Sequence, residues 1–289
     1  MAPLEKQKAA EALKHDPMTV MREWVAPPFL TRNWMDETEV FLPGVMAGTH
    51  NLLVVGEQGV GKTEFLRRLD KELNQGKGRD LRSVSTAQPC FYMSAAPSRA
   101  RRTAMDNLLE QLRGGAPLKT TEKGELSISP LTNRILDELA ARGKRLVIID
   151  EANLLTPEDV DVLRLVHDRS KERSHPVGLL LSGTPMLSQI VEESGHQGQR
   201  FPHAIHVGPL KKREVRQCIA GFHPVLPEIA RDLEEEKWRE LIDHCWEVTR
   251  GNLRRMSVLV TTAHDLALKM GRPMTAEHLR AAADTLRNR

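Results

Sequence analysis

Residues 56–63 read Gly56-Glu57-Gln58-Gly59-Val60-Gly61-Lys62-Thr63, a G-x-x-x-x-G-K-T string. It follows an apolar run, Leu52 to Val55, and leads into the helical spacing of Phe65, Leu66 and Leu69. Glycines let such a loop close tightly enough for successive backbone N–H groups to converge on an anion, and the helix that follows adds the positive end of its dipole. The eight residues would wrap the phosphates of a nucleoside triphosphate, with Lys62 on the β and γ oxygens and Thr63 on Mg²⁺. A chance glycine turn is the alternative, and strand before and helix after in the required order argue against it.

A second constellation closes another apolar run. Leu146-Val147-Ile148-Ile149 delivers Asp150 and Glu151 at the C-terminal edge of a strand, where ligands of open α/β sheets bind. Asp150 would organise Mg²⁺ through water, and Glu151 would polarise an attacking water as general base. An isolated Asp-Glu pair after a strand could equally cap the next helix; a phosphate loop upstream favours hydrolysis. His196, His203 and His206 lack the i, i+4 spacing of a helical metal site and have no nearby cysteine, which assigns them to loop and strand-edge packing.

These groups need a sheet to hold them. Apolar runs recur at 90–93, 146–149, 177–181 and 204–207, making five strands with the first. Helical patterns lie between them, at about 99–112, at 131–141 with Ser129-Pro130 as N-cap and first turn, at 157–169 and at 185–192. Alternating strands and helices indicate an α/β fold with a parallel five-stranded sheet covered on both faces. From Lys211 the strand signal stops, and helical segments follow near 213–222, 233–249 and 253–270, with a short one after Thr275. The expected organisation is an N-terminal extension over 1–45 packed on the core through Trp24 and Trp34, an ATPase domain over 46–209, and a small helical lid over 210–289.

Composition narrows the setting. With 42 basic against 39 acidic residues the formal net charge is +3, so affinity for nucleic acid must come from local patches. Cys90, Cys218 and Cys245 are widely separated, no apolar run approaches the roughly 20 residues of a membrane span, and the N-terminus lacks an apolar signal core. A soluble protein of the reducing cytoplasm, with no membrane partner, is expected.

The strand between the phosphate loop and the Asp150-Glu151 strand, and glutamate directly after aspartate, resemble the AAA+ class of P-loop ATPases. The resemblance implies a three-layer αβα domain with a helical lid, and further site residues. Ser182 and Thr184 in "LLLSGTP" match a polar sensor near the γ-phosphate, although Thr184 could simply cap the next helix. Gly251-Asn252-Leu253-Arg254 matches the lid's G-[DN]-x-R, which implies Arg254 beside the nucleotide, with Arg255 the alternative. Arg200, before the last strand, matches the arginine finger that reaches the ATP of the next subunit, so that hydrolysis depends on homo-oligomer assembly. A solvated loop arginine is the other reading.

"IIDEAN", "GTPML", Arg200-Phe201 and "MTAEHLRAAAD" look like the transposition ATPases of the TniB, TnsC and MuB type over about residues 25–285, with Asn153 where that family often has histidine. The resemblance implies a regulator that polymerises on double-stranded DNA without strong sequence preference, as filament or ring. It would mark the target, recruit the transposase and any target-selector protein, and disassemble on hydrolysis. Arg99, Arg101, Arg102, Lys119 and Thr121 lie on loops that could line the inner face of such an assembly and touch phosphates. The absence of a winged-helix or zinc module agrees with sequence-neutral binding. Rival readings are a membrane-associated secretion ATPase resembling ExeA, whose chains usually continue into a membrane span where this one stops at Arg289, a helicase loader, and a nucleotide-switched signalling ATPase indifferent to DNA.

Overall fold

The computed structural model describes residues 32–75, 89–97, 103–115, 128–194, 201–222 and 234–287. Its strands are β1 (Leu52–Gly56), β2 (Cys90–Ser94), β3 (Leu146–Asp150), β4 (Gly178–Gly183) and β5 (His203–Val207). They form one all-parallel sheet in the order β2-β3-β4-β1-β5. β1, β3 and β4 are buried along their whole length, as continuous Val, Ile and Leu runs require when both faces are covered.

Chain order and sheet order differ in one consequential way. β2 precedes β3 in sequence, yet β4 is the strand inserted between β1 and β3. The phosphate-loop strand and the carboxylate strand therefore stand two strand spacings apart, about 10 Å. The C-terminal end of β4 fills the middle.

On one face lie α1 (Asn33–Met46), which contacts β1, β4 and β5, and α2 (Lys62–Asn74), which contacts β2 and β3. Trp34 of α1, 6% exposed, meets Phe65 of α2 edge-on at 4.9 Å. The other face carries α3 (Thr103–Leu112), α4 (Ile128–Ala141), α5 (Pro157–Glu172) and α6 (Met186–Glu193). There Leu108, Leu109 and Ile135 join Leu53, Ile149 and Leu181 in one core. Each such side chain contributes about 1.5–3 kcal/mol on burial.

Several helix starts differ from the sequence reading by a few residues, and two of the differences have a local cause. α4 begins at Ile128, so Ser129 is helical instead of the cap, and its hydroxyl accepts from Arg169 Nη1 at 2.7 Å, tying α4 to α5. Proline is tolerated throughout the first turn, whose N–H groups have no intrahelical partner, so it does not mark the first residue uniquely. α6 starts at Met186 with Pro185 as its N-cap residue. α5 is the best-signalled helix: Thr156 and Asp159 form a reciprocal capping box, with Pro157 in the first turn.

The chain divides into two compact units, one over Arg32–Val207 and a second whose described part starts at Gly208. The second is helical: α7 (Lys212–Phe222), α8 (Glu235–Thr249), α9 (Leu253–Lys269) and α10 (Ala276–Arg287). Its core is built on Trp238, 1% exposed, with Leu241, Met256, Leu259 and Leu279.

Candidate nucleotide site

β1 ends at Gly56, and the loop to Gly61 turns the chain into α2. Gly59 and Gly61 have φ of 79° and 99°, a region in which a Cβ would collide with backbone. Lys62 opens α2 and folds back: its ammonium donates to the carbonyls of Gly56 at 2.6 Å and Glu57 at 2.9 Å, and it is 8% exposed. Burial lowers its pKa, and the charges of Asp150 and Glu57 offset this only in part. A buried cation whose hydrogen bonds here go to carbonyl dipoles, and whose burial nearby carboxylates offset only in part, favours a further anion beside it. Backbone N–H groups, a buried ammonium and the Thr63 hydroxyl at the start of α2 fit a nucleoside triphosphate with Mg²⁺.

The two carboxylates differ sharply. Asp150 is 2% exposed; its Oδ1 accepts from the Glu151 N–H at 3.0 Å and its Oδ2 from the Tyr92 hydroxyl at 3.1 Å. Burial and the Asp150 charge push the Tyr92 hydroxyl up to about 12 against the pull of the Arg67 guanidinium, so it remains a donor at neutral pH. Arg67 in turn hydrogen-bonds Tyr92. Glu151 is exposed and left-handed, at φ 54° and ψ 31°, a conformation that costs a non-glycine residue about 1–2 kcal/mol. This twist ends β3 and turns Glu151 out of the sheet, where Ser94 Oγ donates to its Oε2 at 3.3 Å. Tyr92 and Ser94 are two apart on β2, which pairs with β3 in parallel, so one neighbouring strand supplies a hydroxyl to each carboxylate.

β4 is held to the same turn. Asn153, in the 3₁₀ turn Ala152–Leu154, accepts at Oδ1 from the Thr184 N–H at 3.0 Å. The approach is so close that a Cβ on Gly183 would lie 2.8 Å from Asn153 Oδ1. Thr184 starts the α6 turn through its carbonyl, which accepts from Leu187 N–H at 2.9 Å, and its hydroxyl makes no hydrogen bond among the described residues. Ser182, fully buried opposite Val54, has an Oγ with no partner among them either.

The P-loop residues, Asp150, Glu151, Ser182 and Thr184 therefore sit on the C-terminal ends of β1, β3 and β4 and the turns that follow. Arg254 and Arg255 are exposed in the first turn of α9, in the second unit, where Asn252 Oδ1 caps the helix by accepting from Arg255 N–H at 3.2 Å. Arg200, Arg99, Arg101, Arg102, Lys119 and Thr121 lie outside the described residues. Tyr92 and Ser94 carry no motif signature, and polar residues alternating with apolar ones on β2 were the only available hint; Asn153 stood out as part of "IIDEAN", but nothing in that string pointed to Thr184 as its partner. All three cysteines are buried, and burial pushes the Cys245 thiol up to about 12, which leaves it no thiolate at neutral pH. Among the described residues no cluster of histidine, cysteine and carboxylate has metal-site composition.

A parallel sheet with this strand order, a phosphate loop after β1 and paired carboxylates after β3 define an AAA+ αβα P-loop ATPase. The family described as AAA domain matches residues 46–191, just over half of the chain, and the chain belongs to it. General secretion pathway protein A of Aeromonas hydrophila is 25% identical over 174 residues, covering 60% of this chain and 29% of that protein. The chain thus spans less than a third of that relative's length. Among solved structures, the Aeropyrum pernix ORC2 protein in its ADPNP–ADP complexes is 18% identical at a TM-score of 0.64, covering 92% of this chain and 71% of that one. The A. pernix ORC1 protein in complex with DNA is 17% identical at 0.59, with coverages of 93% and 69%. Cdc6p from Pyrobaculum aerophilum is 16% identical at 0.62, with coverages of 93% and 70%. At these identities the structural likeness shows the fold alone.

Proposed function

We propose that the chain is an ATP-dependent regulator of DNA transposition that assembles on duplex DNA, marks a target for the transposase, and disassembles on hydrolysis. The observation that carries the ATPase step is the pairing of a buried Lys62 ammonium with an exposed, left-handed Glu151 beside a buried Asp150. Lys62 would exchange its two carbonyl partners for phosphate oxygens. Thr63 and Asp150 would hold Mg²⁺, which neutralises charge on the phosphates when bound. Glu151, steadied by Ser94, would orient the attacking water and take its proton. Thr184 would stand at the γ-phosphate, Arg254 would contribute from the lid, and Arg200 would reach a neighbouring subunit's nucleotide.

The DNA step is supported by the transposition-type motifs and by likeness to a fold also solved in complex with DNA. Arg99, Arg101, Arg102, Lys119 and Thr121 are its sequence candidates. The test is anisotropy of a labelled random-sequence duplex with ATP, a non-hydrolysable analogue, ADP or no nucleotide, with electron micrographs of each mixture. Tight binding with ATP or the analogue, and filaments or rings on DNA, are expected. No DNA binding in any state overturns the reading.

A second reading has its own observation. The match to General secretion pathway protein A favours a secretion ATPase. Among the described residues, no helix is long and apolar enough to cross a membrane. ATP turnover unaffected by DNA, together with absent DNA binding, would favour this second reading.

A further inference from the structure

The second unit contains a cleft of about 690 Å³ lined by Arg250, Arg254, Arg255 and Arg287, with Glu247 its one acidic residue and Val258 among its apolar ones. Four guanidinium groups against one carboxylate leave three positive charges, as much as the formal net charge of the whole chain, +3. The arginines arrive from three helix ends: Arg250 directly after α8, Arg254 and Arg255 in the first turn of α9, and Arg287 at the end of α10.

All four arginines are exposed. None joins an ion pair among the described residues, where the ion pairs of this unit are Lys212–Asp243, Lys237–Glu234, His244–Asp284 and Arg280–Glu240. Two local rules are also broken. Cations in the first turn of a helix oppose its dipole, at about 0.3–1 kcal/mol each, and Arg254 and Arg255 both stand there. Arg250 is left-handed, at φ 52° and ψ 31°, where glycine or asparagine would be less strained. The Arg250 guanidinium lies over the Trp246 ring, 5.9 Å from its centroid, but no carboxylate pairs with any of the four among the described residues, and rules broken together at one place without a counter-charge mark a surface that meets its counter-charge elsewhere.

We propose that this cleft, through Arg250, Arg255 and Arg287 and with Arg254 left to the nucleotide, binds the phosphate backbone of duplex DNA; the proposal rests on the DNA-acting reading above and gives it a contact surface. Guanidinium forks match phosphate oxygens bidentately, which a lysine does not. The lining holds no aromatic residue on which a base could stack, so the contact positions the protein without reading sequence. A free nucleotide supplies the same phosphate chemistry, and the experiment separates the two sources.

The test uses the full chain and two variants that leave Arg254 and Arg255 in place, the double replacement Arg250→Asn with Arg287→Ala, and Arg250→Asn alone. Anisotropy of a labelled random-sequence duplex is followed from 50 to 200 mM salt, alongside binding of a fluorescent ATP analogue. The double variant is expected to bind DNA roughly tenfold more weakly at 100 mM salt and to lose about 2 from the slope of log K against log salt, with analogue binding unchanged. Arg250→Asn is expected to weaken DNA binding while melting no lower than the parent, because asparagine accepts the left-handed backbone. Unchanged DNA affinity and slope in both variants, with the parent binding DNA, overturns the cleft alone. Loss of analogue binding without a change on DNA assigns the cleft to nucleotide and also overturns it. A parent chain that binds no DNA in any nucleotide state overturns the proposed function, and the cleft proposal with it.

Discussion

Lys62 is 8% exposed and hydrogen-bonded to two carbonyls, whereas Arg250, Arg254, Arg255 and Arg287 are exposed and form no ion pair among the described residues. The carboxylates follow the same contrast: Asp150 takes two hydrogen bonds inside the sheet, and Glu247 lines an open cleft. In the first region Lys62 and Asp150 are each held by groups inside the protein, so removing either leaves a buried partner unsatisfied at its full desolvation cost, while the exposed Glu151 is steadied by Ser94. In the second region water and salt screen every charge, and losses are small, graded and close to additive. A catalytic site needs the first arrangement because geometry must survive the reaction. A surface for a polyanion needs only the second.

That contrast can be broken at four points. Glu151→Gln should lower turnover by about 10³-fold, the scale of a lost general base, while nucleotide binding and assembly persist; phosphate release and particle size measure both. Near-normal turnover would remove Glu151 from its role. Lys62→Ala should weaken nucleotide by about 100-fold, since a charge-assisted bond at a buried site is lost. Titration with a fluorescent analogue reads this directly, and an affinity like the parent's would dissolve the site.

Asn153→Ala tests whether the turn after β3 and the end of β4 act as one piece. It frees the Thr184 N–H and should cost about 1 kcal/mol of stability, with turnover falling roughly tenfold. A lower melting temperature with unchanged turnover would make the contact structural only. The smallest effect is expected from Tyr92→Phe, which deletes one hydroxyl on Asp150. The Mg²⁺ concentration that half-supports analogue binding should rise about fivefold, the equivalent of about 1 kcal/mol. No change in Mg²⁺ dependence would mean Tyr92 only packs.

The candidate nucleotide site and the cleft were unequally visible from residues alone. Gly56 to Thr63 announce themselves because the groups are contiguous and the loop chemistry is local. Asp150 and Glu151 are visible because an apolar run precedes them. Tyr92 and Ser94 look ordinary and Asn153 does not reveal its role, since each matters through a partner far along the chain: 31 residues for Asn153–Thr184, 58 for Tyr92–Asp150 and 57 for Ser94–Glu151. Arg254 and Arg255 stood out by motif, but Arg250 and Arg287 join them only where three helices end together. Helix starts shifted by a few residues for a similar reason. Proline at 130 identifies a first turn, and the contacts of α4 with its neighbours decide where that turn begins.

Local pattern alone determined the five strands, the helices between them, the parallel α/β class and the phosphate loop, because hydrophobic period and glycine spacing act over a few residues. Only the tertiary structure decided that β4 separates β1 from β3, that β2 holds both carboxylates, and that four arginines share one cleft. Strand order and side-chain partnership depend on which distant surfaces bury one another, and a residue's type does not say what lies opposite it.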